Sequence, residues 1–263
     1  MIIVGPGRAG GSIALAAGRA GHEIVGILSR STGDGSDFGP GLSLEHQFPS
    51  ADLLLIAVRD EAIEEVGRQL VEAVGSIPVA AHLSGFTPVS ALEPLSAVGL
   101  ATGGFHPLQT LPDPERGALA LAGSYVGIGG DGAARSILTE LAVSLQMRPF
   151  ELSDESRPMY HAGAAAASNF VITALETAGD LMNAAGIDPQ VAVPLVERAV
   201  ANTYQGVTPS VLTGPIARGD TATVRGQLEA ARQVSEDVGD QYRLMAEATA
   251  IRAGRRDETQ QWS

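Results

Sequence analysis

Met1-Ile2-Ile3-Val4-Gly5-Pro6-Gly7-Arg8-Ala9-Gly10-Gly11-Ser12 opens the chain and decides how the rest is read. Ile2 to Val4 predict a short strand, Gly5 to Gly11 a glycine-rich turn, Ser12 to Ala20 an alanine-rich helix, and Glu23 to Leu28 the next strand. Gly5, Gly7 and Gly10 stand in the spacing GxGxxG. With 32 glycines in the chain the pattern alone says little, but its place between a strand and a helix says much. Gly5 there serves the tight turn, Gly7 lets a pyrophosphate approach the backbone, and Gly10 lets helix and strand pack closely. The free N–H groups and dipole at the helix start are expected to bind the anion without a lysine, with Arg8 and Ala9 of the turn beside the cofactor.

Working outward, the same alternation continues. Asp52 to Val58 is a continuous apolar run of the kind that a parallel strand covered on both faces carries, and Glu61 to Val74 follows with helical spacing. Ile77 to Leu83, Val98 to Phe105, Ser124 to Ile128 and Arg148 to Leu152 read as further strands, with a helix over Gly132 to Leu145. Ser29 to Leu44 is polar and glycine-rich and reads as a mobile surface loop. Strand and helix in alternation predict an α/β unit, a Rossmann-like doubly wound and mostly parallel sheet, over residues 1–152. Beyond Asp154 strand signals fade. Helices are expected over Tyr160 to Ala185, Gln190 to Tyr204 and Thr221 to Ala253, with a turn-rich segment from Gly206 to Asp220, so residues 153–263 read as an all-α domain.

Composition removes several chemistries. Seventeen basic residues against thirty acidic give a net charge of -13, which disfavours nucleic acid and anionic membranes as partners. All seventeen are arginine and cysteine is absent, so there is no lysine Schiff base, thiolate nucleophile or Cys-ligated metal. The chain opens without a charged leader region and holds no apolar run of membrane-spanning length. A cytoplasmic protein is the expectation.

After the second strand, where an acid would bind a ribose 2′-hydroxyl, stand Ser29, Arg30 and Ser31. They favour NADP, with Arg30 on a 2′-phosphate, although NAD remains possible and Arg30 reads equally as a solvated loop residue. Val58 and Arg59 end the next long strand and should line the middle of the cofactor. His82 and His106 fall near strand ends; both also read as core histidines. On the helix that follows, His161, Ala165, Ser168 and Asn169 fall at offsets of four, seven and eight, roughly one face. A zinc site made of the histidines lacks supporting spacing, and no metal is expected.

The order GPGRAGGS, LLLIAVRDEAIEEV, HLSG, FHPLQT, YHAGAAAASNF and GPIARGD resembles a family of bacterial oxidoreductases that joins a Rossmann-like domain to a helical domain of unknown function. More distantly it is similar to pyrroline-5-carboxylate reductase, ketopantoate reductase and 3-hydroxyisobutyrate dehydrogenase, the 6-phosphogluconate dehydrogenase-like enzymes. The resemblance implies substrate held between the cofactor domain and a long helix. Hydroxyacid dehydrogenases carry a lysine and an asparagine one turn apart there; this chain keeps Asn169 but has Ala165 nearest the lysine's place. Reduction of a carbonyl or imine needs a proton donor, and His161 is the first choice, with His106 second. Ser84 and Asn169 are expected to hydrogen-bond the substrate, Ser84 also lying beside the cofactor. Gly85 is expected to allow close approach, and Ser168 and Arg218 to bind substrate, Arg218 as a carboxylate clamp or, equally, as a partner of Asp220 in the turn. The expected activity is hydride transfer with a small carboxylate-bearing carbonyl, hydroxy acid or imine, in a homodimer paired through the helical half. The alternative is an NADP(H)-binding sensor without turnover.

Overall fold

Ile2, Ile3 and Val4 form β1 (Ile2–Val4) and are buried on both faces, as a strand in the middle of a parallel sheet requires. The computed structural model describes residues 1–29, 35–205 and 211–262. They divide into two compact units, Met1–Ala165 and Ala166–Ser263.

In the first unit, β1 pairs in parallel with β2 (Gly26–Leu28) on one side and β5 (Leu54–Ile56) on the other. The sheet continues through β6 (Val79–His82), β7 (Ala101–Leu108), β8 (Tyr125–Gly130) and β9 (Arg148–Glu151), in the order β2-β1-β5-β6-β7-β8-β9. The chain steps outward from β1 to β2 and returns to β5 on the other side, so the strand order reverses at β1, where ligands bind in open α/β sheets. One pair breaks the parallel pattern: β8 lies antiparallel to β7, and β9 parallel to β8.

Helices cover both faces. α1 (Arg8–Arg19), α4 (Pro114–Leu121) and α5 (Gly132–Ser144) close one core around Ile3, Ile13, Leu55, Phe105, Leu121 and Leu138. α2 (Ile63–Leu70) and α3 (Glu93–Ser96) close the other around Ile2, Leu54, Ile56, Leu70, Leu92 and Leu95. β2, β5, β6 and β9 are shorter than the runs that predicted them and β7 lies three residues further along, while the helix expected over Glu61 to Val74 opens as a 3-10 turn and stops at Leu70. Helix α4 was not expected, yet Asp113 caps it by accepting the Arg116 N–H at 2.8 Å, with Pro114 in the first turn. Within the segment read as a mobile loop, β3 (Gly35–Ser36) and β4 (Gly39–Pro40) form a small antiparallel ribbon. The Phe38 ring packs close over Gly11, and Leu42 over Gly26.

The first helix of the expected all-α half, α6 (Arg157–Ala165), groups with the sheet, 13 residues past the expected boundary at 152. Arg157 is the reason. Its side chain is wholly buried, lying over β7 and β8 where Gly104 and Gly129 leave room; a Cβ on Gly104 would overlap its Nη2, and one on Gly129 would come within 3.0 Å. Nε donates to Asp154 Oδ1 at 2.8 Å and Nη1 to the Ser84 carbonyl at 2.9 Å, while both Asp154 oxygens accept the Val89 N–H at 2.9 Å.

The second unit holds α7 (Val171–Ala184), α8 (Val193–Tyr204), α9 (Pro215–Arg218), α10 (Thr221–Val234) and α11 (Glu236–Arg252). A π-helical turn, Ala166–Phe170, precedes α7. The helix expected over Thr221 to Ala253 breaks at Ser235, which is extended and whose hydroxyl accepts the Val238 N–H at 3.1 Å, capping α11. Val224, Leu228, Ala246, Ala250 and Trp262 form the core. No helix among the described residues is long and apolar enough to cross a membrane.

Asp154→Ala leaves a guanidinium buried without its counter-charge and is expected to cost about 3–5 kcal/mol. Arg157→Met removes the charge itself and leaves Asp154, 36% exposed, still bonded to Val89, so it is expected to cost less. Urea unfolding of both variants checks the order.

Candidate functional site

Gly5 has φ +90°, open to glycine at little cost, and a Cβ there would lie 2.7 Å from the Ala57 carbonyl oxygen. A Cβ on Gly10 would overlap the Gly5 carbonyl and lie 2.9 Å from the Ala57 Cβ, so Gly10 is where α1 meets the β1–β5 strand ends. Gly7 caps α1 with no side chain of its own, and nothing lies within 4 Å of the position a Cβ would take. Gly5 and Gly10 are thus glycines because neighbouring atoms fill the space a side chain would take, whereas Gly7 leaves its backbone facing open space at a helix N-terminus.

That space is a cleft of about 1110 Å³ along the carboxyl ends of β1, β2 and β5. Gly5, Gly7, Ser29, Val58 and Arg59 line it, together with Asp37 and Phe38 from the β3–β4 ribbon and Val66 and Gln69 from α2. Arg8 and Ala9 belong to the first turn of α1, and Arg59 is exposed, 3.5 Å from Glu61. Arg30 and Ser31, on which the choice of cofactor turned, lie outside the described residues. Asp37 was missed in the sequence because it comes well after the strand end, where a folded-back ribbon rather than spacing carries it into the cleft.

A second group of side chains gathers beyond β6. His82 is fully buried, and its Nδ1 accepts the Ser84 N–H at 3.1 Å, which leaves the proton of the neutral ring on Nε2. Burial first, then Arg157, holds its pKa down from 6.5 to about 4. His82 is therefore a core histidine. Ser84 Oγ accepts the Phe86 and Thr87 N–H groups at 3.1 and 2.8 Å, and this shapes the loop after the strand. At Gly85 a Cβ would lie 2.7 Å from His106 Nε2, so the residue makes room for an imidazole.

His106, partly buried on β7, places Nδ1 2.7 Å from the Tyr160 hydroxyl, with the rings edge to face at 5.4 Å. His161 lies one residue further along α6, its ring 6.0 Å from His106 and 6.0 Å from Phe86. The structure thus brings Ser84, Gly85, His106 and His161 together and adds Tyr160 and Phe86, which the sequence did not single out. Burial, then His161 and Arg157, lowers the His106 pKa from 6.5 to about 4, and burial pushes Tyr160 up to about 12. Asp154 and Arg157 were missed as well. Their signal is an acid and an arginine three apart at a helix start, but the paired strand glycines that admit the arginine are visible only in register.

The remaining candidates belong to the second unit. Ser168 and Asn169 sit in the π-helical turn, where Ser168 Oγ lies 3.4 Å from Asn169 Oδ1. Counting faces from His161 assumes 3.6 residues per turn, which a π turn does not keep, so the offsets of seven and eight do not carry the expected alignment. Arg218 ends α9 and is exposed. Asp220 directs its carboxylate to the Thr223 N–H and hydroxyl at 3.1 and 2.7 Å, capping α10, and Arg255 braces the turn by donating to the Ala217 carbonyl at 2.9 Å.

Buried neutral histidines tie stability to pH. Both His82 and His106 bind a proton less readily when folded than when unfolded, so their contribution is complete above about pH 6.5 and is lost as the pH falls through about 4. Urea midpoints are expected to drop across that window, and less steeply in His106→Gln.

Residues 124–249 match the family described as Domain of unknown function (DUF2520). No curated protein matches the chain. Among solved structures, BF3122 of Bacteroides fragilis, described as an NADP oxidoreductase, is similar at TM-score 0.80 and 22% identity, covering 95% of this chain and 97% of that one. An imine reductase of Streptomyces aurantiacus is similar at TM-score 0.68 and 14% identity, covering 99% and 98%. Pyrroline carboxylate reductase of Plasmodium falciparum, solved with NADP bound, is similar at TM-score 0.62 and 12% identity, covering 93% and 97%. Residues 124–249 thus resemble that domain, in a chain that shares the fold of these reductases.

Proposed function

We propose that the protein is an NADP-dependent oxidoreductase acting on a small carboxylate-bearing carbonyl, hydroxy acid or imine. The observation that carries this reading is the Gly5–Gly7–Gly10 turn: two glycines are filled by packing and the third opens onto a long cleft at the strand-order reversal. The residues fit a dinucleotide, with the α1 N-terminus on the pyrophosphate and Ser29 and the ribbon toward the adenosine. When bound, the nicotinamide supplies or accepts a hydride. The chain's own part is to hold substrate and move a proton. His161 is the proton donor in this reading, His106 orients the heteroatom, and Ser84 and Asn169 add hydrogen bonds. Arg218 holds the carboxylate, its neighbour Asp220 being engaged by Thr223.

One observation favours a second cofactor reading. Asp37 lines the cleft beside Ser29, and a carboxylate there suits a ribose 2′-hydroxyl and repels a 2′-phosphate. Titrating NADPH and NADH into the protein separates the two: tighter NADPH binding is expected, and tighter NADH binding assigns the selectivity to Asp37. In reductions of 2-oxo acids and cyclic imines with NADPH, His161→Ala is expected to lower turnover about 10²- to 10⁴-fold with NADPH binding intact. His106→Ala is expected to cost less. Cofactor binding with no turnover on any probe would favour the sensor reading.

The same reading makes it a cytoplasmic homodimer that uses its helical unit. Phe170, Leu195 and Tyr204 are 68%, 70% and 80% exposed there, with Ile172, Leu175 and Val191 also open, more apolar surface than isolated helices ordinarily show to water. Light scattering is expected to give twice the 27.0 kDa chain mass.

A further inference from the structure

The His106–Tyr160 pair has more order than orienting a substrate requires. His106 Nδ1 and the Tyr160 hydroxyl are 2.7 Å apart, and the two rings stand at 88° to each other. Tyr160 is braced from its other side by Phe150, ring centroids 5.7 Å apart, and the His106 ring occupies the room that Gly85 leaves, Nε2 foremost. Each ring is held by a separate element, α6 or β7, so the hydrogen bond is made by the fold rather than by a mobile side chain.

We propose that Tyr160 is a positioning residue: its hydroxyl donates to His106 Nδ1 and fixes the neutral imidazole, whose Nε2 end lies against Gly85, as the Nε2–H tautomer, leaving that N–H as a hydrogen-bond donor for the substrate heteroatom. The direction of the bond follows from the groups. A phenol is the better donor and a bare imidazole nitrogen the better acceptor, so O–H to Nδ1 is the favoured arrangement and the ring proton stays on Nε2. The charges around His106 agree with a neutral ring. Arg157 and His161 of α6 oppose a positive charge on it and Asp60, after β5, favours one; with burial, the opposing side prevails. Tyr160 keeps its proton, since burial raises its pKa. His106 then acts as a fixed neutral donor and leaves proton transfer to His161.

This inference rests on the oxidoreductase reading for its purpose, but its test needs no turnover. Nitrogen-15 NMR of the histidine rings in the full-length protein reports which nitrogen carries the proton. In the wild type, His106 is expected to show a protonated Nε2 and a bare Nδ1 at neutral pH. Tyr160→Phe keeps the ring between Phe150 and His106 and removes only the hydroxyl. It is expected to mix the two tautomers and to move the His106 titration upward toward the ordinary 6.5. A proton on Nδ1 in the wild type overturns the proposal without any variant. A Tyr160→Phe spectrum with the same tautomer and titration as the wild type overturns it too. Failure to reduce any probe counts against the oxidoreductase reading and leaves this result standing.

Discussion

A guanidinium taken out of water has few places to go, and the first unit is built around the one chosen for Arg157. Its desolvation is offset by Asp154 and the Ser84 carbonyl, while two strand glycines leave the room it occupies and Nη2 stays without a partner among the described residues. That requirement ties four parts of the chain that are far apart in sequence: the loop after β6, the glycines of β7 and β8, the turn after β9 and the start of α6. Once they are tied, Tyr160 and His161 have little choice of position, because they follow Arg157 by less than one and little more than one helical turn. Structural and chemical residues therefore share one helix, and the electrostatic influence of Arg157 on both His82 and His106 follows from the same placement.

The two halves of the site use different physics. The cleft is made by absence: missing side chains at Gly5 and Gly10 let backbone and α1 pack closely, and at Gly7 leave the backbone open to space. The histidine group is made by crowding, with rings packed edge to face and the proton affinities of His106 and Tyr160 shifted by burial. A net charge of -13 with no lysine is compatible with both. An anion can be held by helix N–H groups, and a neutral imidazole can be kept neutral by burial and arginine, neither of which calls for an ammonium group.

Legibility in the sequence followed the range of the interactions. The opening strand, turn and helix were readable because GxGxxG between an apolar run and an alanine-rich segment is a local signal, and the parallel sheet followed from repeated alternation. Helix α4 was missed although Asp113-Pro114 announced it, and Ser235 was passed over inside an otherwise continuous helical pattern; both caps are short signals inside longer ones. Asp37, Gly85 and Arg157 could not be placed by spacing. Asp37 depends on a ribbon folding back, Gly85 on an imidazole arriving from another strand, and Arg157 on strand register. The count of faces from His161 onward assumes 3.6 residues per turn, which the π-helical turn at 166–170 does not keep.

The reversal between β7 and β8 sets a direction of travel. A helix that follows a strand runs back against it, so in a fully parallel sheet every such helix heads away from the carboxyl edge. Because β8 and β9 point the other way, α6, which follows β9, advances alongside β7. It meets the level of Gly104 at Arg157 and the level of His106 at Tyr160 and His161. One inverted strand pair is what delivers a helix, rather than another loop, to the end of β7 where His106 stands. It trades the adaptability of a loop for side chains whose spacing is fixed by a rise of about 1.5 Å per residue.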